Sequence, residues 1–274
     1  MPRTIRLSLG FALIAARVAL AADPTPDSMS LVKSAKSPSR AYINAAIDTL
    51  GVRLGMTLGE VKNAIKGFGG KPHVDEMSLV AQYRDVSVSS QNFPKSLIAA
   101  RFDKNAGISE TVTVSFSTPA IGSTVMSIDR TFLFINSLTA PKVEDVVKQL
   151  RSKYGQMSVS KMMEWNPTSR NGYWVYDEKA LMTCINNFCP FTVSGTNKLG
   201  VTLAKKAIEK NAHLQIEVFI AIDTHDLDRV SSMHITLVDN DAIVLSHDEA
   251  AKQIEVAAIA NYKRRSTPQA APKL

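Results

Sequence analysis

A helix-start signature followed by a run of strand-like segments constrains the fold of this chain most strongly. Thr57 can cap a helix, and Glu60 stands three residues later, where it can complete a capping box. The apolar residues of this stretch recur at helical spacing: Leu58, Val61, Ile65 and Phe68. The pattern predicts a helix over 58–66, which Gly67, Gly69 and Gly70 end.

Strand-like segments fill the chain from this helix to about residue 135. They read LVAQYRDVSVSS, SLIAARFD, ETVTVSFST and TVMSIDRTFLFIN. Alternation is plainest in 111–116, where Val112, Val114 and Phe116 fall on one face of a strand. Asn105-Ala106-Gly107 marks a hairpin-like break between two of the segments. Residues 41–136 are therefore predicted to form one helix followed by an antiparallel sheet of about four strands.

The same order returns later in the chain. Val61, Ile65 and Phe68 recur 82 residues later as Val143, Val147 and Leu150, and Met56 and Thr57 recur as Leu138 and Thr139. Strand-like stretches follow again: MSVSKMMEW, GYWVY, AHLQIEVFIAID and VSSMHITLVD. We expect an α+β fold with a second helix-plus-sheet repeat over 137–245. A C-terminal helix is predicted over 246–263, with Ser246 as its cap and Glu249 completing the capping box.

Both ends of the chain lie outside this predicted body. In residues 1–21, basic residues precede an apolar run, and small residues precede the predicted cleavage site. This is the order of a secretory signal peptide. Cleavage is expected after Ala21, with Ala22 as the alternative, so a periplasmic or secreted protein is predicted. Residues 22–40 are predicted to form a flexible leader, and 264–274 a flexible tail. No later apolar segment approaches the roughly 18 residues that a membrane span needs, so no transmembrane segment is expected.

The net charge of +7 does not indicate a nucleic-acid surface. Its excess lies in the predicted signal peptide and in the last twelve residues, because residues 22–262 carry 25 basic and 25 acidic side chains. A phosphate-binding surface needs clustered Lys and Arg in the folded part of the chain. Binding to nucleic acid is therefore not expected.

The only two cysteines are Cys184 and Cys189. In an oxidising compartment, a pair this close can form one small disulfide loop. A redox pair or half of a metal site is the alternative, but the spacing is C-x4-C, and no second ligand pair with zinc spacing follows. A structural disulfide is the prediction.

A candidate binding surface comes from a group of aromatic residues: Trp165, Tyr173, Trp174 and Tyr176. Both tryptophans of the chain belong to this group. Aromatic side chains on an exposed sheet face are common binding anchors. The same side chains also fill hydrophobic cores well, so core packing is the alternative.

No catalytic, cofactor or metal site is predicted. The glycines of GFGGKPH follow a helix instead of preceding one, and the negative end of the helix dipole repels phosphate. The acidic run at 223–228, DTHDLD, has Asp228 and His234 where a calcium loop needs its sixth-position glycine and its bidentate glutamate, so a polar turn is expected. No G-x-S-x-G elbow of a serine hydrolase occurs.

The segment GVRLGMTLGEVKNAI resembles the G-x-x-x-G-M-[ST]-x-x-[ED]-V pattern of exported bacterial proteins. The residues that carry this resemblance are Gly51, Gly55, Met56, Thr57, Glu60 and Val61. It is similar to the start of the small SmpA/OmlA-type lipoproteins of the outer-membrane β-barrel assembly machinery. A tandem of such units also resembles the β-lactamase inhibitory protein architecture. Both resemblances imply a non-enzymatic protein-interaction module.

These features favour an exported, non-catalytic binding protein of the cell envelope with a protein partner. The alternative is an envelope hydrolase or small-ligand carrier whose site is built from dispersed residues. His225 with Asp223 or Ser194 is the candidate set for that alternative. The sequence does not specify an oligomeric state.

Overall fold

The computed structural model describes residues 27–38, 48–162, 169–176, 181–182 and 198–266. These residues form an α+β protein, as the sequence predicts. Within them, no helix is long and apolar enough to cross a membrane.

The elements follow one another along the chain in a mixed order. The helices are α1 (Leu58–Ala64), α2 (Val143–Tyr154), α3 (Lys198–Ile208) and α4 (Asn240–Ser266), with a 3-10 turn at Pro119–Ile121. The strands of the first part are β1 (Asp27–Met29), β2 (His73–Met77), β3 (Val80–Tyr83), β4 (Val86–Ser90), β5 (Phe93–Asp103), β6 (Ile108–Phe116) and β7 (Val125–Phe134). The later strands are β8 (Val159–Met162), β9 (Ser169–Tyr176), β10 (Leu181–Met182), β11 (Leu214–Ile222) and β12 (Val230–Asp239).

Nine strands form one antiparallel sheet in the order β10-β9-β11-β12-β7-β6-β5-β2, with β8 also paired to β9. Strands from before and after α2 therefore belong to the same sheet, and β7 and β12 meet at its centre. The helix-covered face of this sheet packs against α1 and α2 and forms the largest hydrophobic core. Val112, Val114 and Phe116 point into that core, which confirms the predicted alternation in β6.

The predicted start of α1 is confirmed. Thr57 and Glu60 form the capping box: the Glu60 carboxylate accepts from the Thr57 backbone N–H at 2.7 Å, and Thr57 Oγ1 accepts from the Glu60 N–H. The helix ends at Ala64, two residues before the predicted end, and its C-cap is Ile65 at φ −95°. Gly69 and Gly70 adopt positive φ in the turn that follows. At α2 the cap is Lys142, not Thr139, whose hydroxyl donates to the Ala106 carbonyl at 3.0 Å.

The C-terminal helix begins earlier than the sequence predicts. It follows β12 directly, because the Asp239 carboxylate accepts from the Ala242 N–H at 2.9 Å and caps the first turn. Ser246 is therefore a buried residue inside α4 and not its cap. Its hydroxyl accepts instead from the Thr118 N–H at 2.8 Å. Ala250, Ile254 and Ala258 form the buried face of α4.

A second sheet of three strands, β1-β4-β3, lies beside the large one. Part of the predicted leader belongs to it, because β1 pairs in parallel with β4. Gln253 of α4 holds the following residues: its side chain accepts from the Val32 N–H at 2.9 Å and donates to the Val32 carbonyl at 2.7 Å. Residues 27–38 are thus part of the fold.

A buried carboxylate ties β5, β6 and β7 together on the helix-covered face. The Glu110 side chain is 0% exposed and accepts from Arg101 at 2.6 Å and from the Arg130 guanidinium. Arg101 also lies over the Phe68 ring at 5.0 Å, and Arg130 over the Phe132 ring at 4.3 Å. Two guanidinium groups on one carboxylate satisfy its oxygens, which makes burial of the charge tolerable.

Glu110→Gln is expected to lower the free energy of unfolding by about 3 kcal/mol or more, because it leaves two cations facing a neutral group. Urea denaturation of both proteins measures this loss. Glu255→Gln removes the same charge from an exposed position on α4 and is expected to change stability by less than about 0.5 kcal/mol. Equal losses in the two variants would contradict the assigned role of Glu110.

Candidate functional site

The face of the large sheet opposite α1 and α2 is only partly covered. At one end, α3 and the start of α4 pack on Met126 and Val238. Three rows of side chains beyond that end form a surface that we call the open face. Across β5, β6, β7, β12 and β11 the rows are Ile98-Thr113-Asp129-Thr236-Glu217, Ala100-Thr111-Thr131-His234-Phe219 and Phe102-Ser109-Leu133-Ser232-Ala221. All of these residues except Thr236 are partly or fully exposed.

Six of the fifteen residues of the open face are Ser or Thr, and they alternate along each strand with residues that enter the core. In β6, Val112 and Val114 enter the core, so Thr111 and Thr113 face outward. The fifteen positions include two carboxylates, Asp129 and Glu217, and no Lys or Arg. The open face therefore combines short side chains with a negative charge near its centre.

A hydrogen-bonded group occupies that centre. Thr236 Oγ1 donates to Asp129 Oδ1 at 2.9 Å, and His234 Nε2 lies 3.5 Å from the same carboxylate oxygen. The hydrogen bond to Asp129 raises the pKa of His234, and the charges of Asp129 and Glu217 add to the increase, whereas burial opposes it. Thr236 Oγ1 also lies 3.3 Å from His234 Nε2. Because its single hydroxyl proton is donated to the Asp129 carboxylate, His234 does not act as a base on Thr236 in this arrangement.

Exposed apolar side chains gather at one end of the sheet. They are Phe102, Leu133, Ile135, Leu138 and Leu227, and we call this group the apolar end. The loops that carry the last three contact each other, since the Val230 N–H donates to the Pro141 carbonyl and the Val143 N–H to the Asp228 carbonyl. Five of the eight large apolar side chains exposed in the described residues thus lie at the same end of the sheet, where Leu227 borders the groove beside α2. An exposed apolar group of this kind is typical of interaction surfaces.

The structure describes only part of the predicted aromatic surface. Trp165 lies outside the described residues, whereas Tyr173, Trp174 and Tyr176 belong to β9. In backbone register, Tyr173 is opposite Glu217, Trp174 opposite Ile216, and Tyr176 opposite Leu214. This register places β9 next to the β11 edge of the open face. The binding surface formed by these aromatic residues therefore stays a prediction, with core packing as its alternative.

The acidic run at 223–228 forms a turn, as expected. The Asp223 carboxylate accepts from the His225 N–H at 2.7 Å, and this bond lowers the pKa of Asp223 while burial opposes the shift. The His225 side chain is 94% exposed, and its Nδ1 lies 3.5 Å from the Asp223 carboxylate. Within the described residues, no three His, Cys, Asp or Glu side chains are placed to hold a metal ion.

The remaining predicted positions, Cys184, Cys189 and Ser194, lie outside the described residues. The open face itself was not predicted as a site. In the sequence, every second residue of β6, β7 and β12 is expected to point away from the core, and this alternation is visible in each strand separately. Which strands are neighbours cannot be read from that alternation.

The link between His234 and Asp129 predicts a pH dependence of stability. Because the folded-state pKa of His234 is raised, this group stabilises the fold below its unfolded pKa of about 6.5, and the contribution is lost as pH rises through the raised value. His234→Gln is therefore expected to reduce the loss of unfolding free energy between pH 6 and pH 9. Urea denaturation at both pH values measures it, with exposed His225→Gln as the control. Identical pH dependence in wild type and His234→Gln would contradict the assignment.

Comparisons with protein-family models, with curated protein sequences and with solved structures find no significant match to this chain. The resemblance of residues 51–65 to exported assembly lipoproteins therefore stays a prediction. Function has to be inferred from the geometry of the chain itself.

Proposed function

We propose that this chain is an exported, non-catalytic protein-binding module of the cell envelope that docks its partner on the open face and the apolar end. The observation that carries the proposal is the continuity of these two surfaces. Leu133 belongs to both, with Phe102 two strands away in the same row and Ile135 two residues along the chain. A partner covering them buries apolar side chains beside a polar, hydrogen-bonding field, which is the usual composition of a protein interface.

Charge specifies the kind of partner. Asp129 and Glu217 are the carboxylates of the open face, and no basic side chain other than His234 occupies its fifteen positions. Complementary potentials steer association and select partners. The proposed partner is therefore a protein surface that presents apolar side chains to the apolar end and a Lys or Arg to the region of Asp129.

The alternative function, an envelope hydrolase or small-ligand carrier, has less support. On the open face the hydroxyl and imidazole nearest to each other, those of Thr236 and His234, both face Asp129. His225 of the dispersed candidate set is a solvated side chain on a turn. Each imidazole lies 3.3 Å from a threonine hydroxyl, His234 from Thr236 and His225 from Thr224. The Thr236 proton is donated to Asp129, however, and the Thr224–His225 pair lies on an exposed turn.

The proposed module is a tandem repeat in which each half contributes one helix and one end of the sheet. The two helices begin in equivalent places: Thr57 bridges to Thr124, just before β7, and Lys142 bridges to Arg229, just before β12. Correspondingly, the Val125 N–H donates to the Met56 carbonyl at 2.8 Å. These contacts match those of Val230 and Pro141 and support the proposal.

In these pairs the strand starts, Thr124 and Arg229, are offset by 105 residues, and the helix starts by 85 instead of the 82 in the sequence. With the offset of 85, Val61 matches Val146 and Ile65 matches Leu150, and all four side chains are buried. A slip of three residues moves along one face of a helix, so the apolar pattern alone does not distinguish the two offsets. The offset of 85 also places Lys142, and not Thr139, at the position equivalent to the Thr57 cap.

Export and the binder class rest on the sequence. The signal-peptide order of residues 1–21 supports a periplasmic or secreted location. The resemblance of residues 51–65 to assembly lipoproteins supports a role in protein interaction. Fractionation of producing cells tests the location: we expect the processed chain in the periplasm or medium, and retention of the full-length chain in the cytoplasm would contradict export.

Site-specific photocrosslinking tests the docking surface. With p-benzoylphenylalanine in place of Thr131 on the open face, we expect one discrete adduct in producing cells. The same group in place of Val256, exposed on the outer side of α4, is expected to give none. No adduct from position 131, or the same adduct from both positions, would contradict the proposal.

Leu133→Lys is expected to weaken binding to that adduct partner at least tenfold, because it removes an apolar contact and adds a positive charge that repels a basic partner. Titration of the purified partner measures the affinity. Val256→Lys makes the same chemical change away from the surface and is expected to leave the affinity unchanged. An unaltered affinity in Leu133→Lys would remove the apolar end from the interface.

A further inference from the structure

A pocket separate from the open face lies where α4 crosses the connection from β2 to β3. Met77, Leu79 and Val80 line one side, and Ala251 and Ile254 of α4 line the other. The neighbouring residues of α4 are closely packed: Ala250 is buried with Leu31 and Phe93, and Ala258 with Val86 and Val88. The pocket opens to solvent beside Val80, whose side chain is 64% exposed.

The floor of the pocket is polar but has no spare hydrogen-bond donor in its hydroxyl groups. Ser246 Oγ donates to Thr118 Oγ1 at 3.1 Å, and Thr118 Oγ1 donates to the Ser246 carbonyl at 3.0 Å. The Thr118 N–H is also bonded, to Ser246 Oγ at 2.8 Å. Both hydroxyl protons and this backbone proton therefore have acceptors inside the protein.

The lining favours an uncharged ligand. His247 is its one titratable residue, and its Nδ1 lies 2.9 Å from the Asp248 carboxylate. The sulfur of Met77 can contact the edge of an aromatic ring, a favourable interaction for a thioether. A carboxylate ligand finds no free donor in the Thr118 and Ser246 groups of the floor, and an ammonium finds no carboxylate in the lining.

The cavity volume is about 170 Å³. That is close to the roughly 150 Å³ of an engineered apolar cavity that binds benzene. We propose that this pocket binds a small uncharged aromatic molecule, with one ring seated between Met77, Leu79 and Ile254. The site lies against α4 and the second sheet, so it does not depend on the docking function of the open face.

Fluorine NMR of fluorobenzene added to the purified chain tests the proposal. We expect saturable line broadening that competing benzene removes, and at least tenfold weaker competition from benzoate. Ala251→Leu fills the pocket from α4 and is expected to weaken fluorobenzene binding at least tenfold. Val256→Leu enlarges an exposed side chain of the same helix and is expected to leave binding unchanged.

A second variant keeps the test independent of any packing damage in Ala251→Leu. Leu79→Ala enlarges the pocket from the opposite side, so it is expected to shift preference at least fivefold from fluorobenzene toward the two-ring competitor naphthalene. Circular dichroism checks that each variant is folded. Absence of saturable binding in the wild type, equal affinity for benzoate, or an unchanged ring preference in folded Leu79→Ala would each overturn the proposal.

Discussion

The pairing of β7 with β12 is the interaction on which the rest of the structure depends. Seven residue pairs, from Ser127–Val238 to Leu133–Ser232, join strands that lie about a hundred residues apart in the chain. Without this pairing, β7 and β12 would each be an unprotected edge strand, with open backbone donors and acceptors. With it, the nine strands share one helix-covered core, to which α1 and α2 both contribute.

The pairing also creates the open face. Asp129 and Thr131 come from β7, and Thr236 and His234 stand opposite them on β12, so the central polar group exists only across this junction. A slip of one residue would exchange the two faces of a strand and bring Asp129 toward the core. The same register places Ile235 opposite Arg130, which binds Glu110 on the covered face. Core and candidate site are thus set by one alignment of strands.

Local features of the fold could be predicted from the sequence, whereas the pairing of strands that lie far apart in the chain could not. The capping box of Thr57 and the alternation of β6 depend on neighbouring residues, and both are confirmed. The β3–β4 hairpin was missed because its turn uses Arg84 at φ 55° instead of the usual glycine. Helix α3 is not predicted, although Val201, Ala204 and Ala207 recur at helical spacing and are buried. Ser246 is wrongly predicted as a cap because residues that cap helices also occur inside them. There the hydroxyl can bond to a distant partner, as it does to the Thr118 N–H.

Native-state hydrogen exchange of the backbone amides tests the central role of the β7–β12 pairing most directly. The strongest protection reports the last structure to open. The amides of β7 and β12 are expected to exchange slowest, with protection that falls outward toward β2 on one side and β9 on the other. Faster exchange in β7 and β12 than in β6 and β11 would show that the halves open separately, and would contradict a single sheet held at its centre.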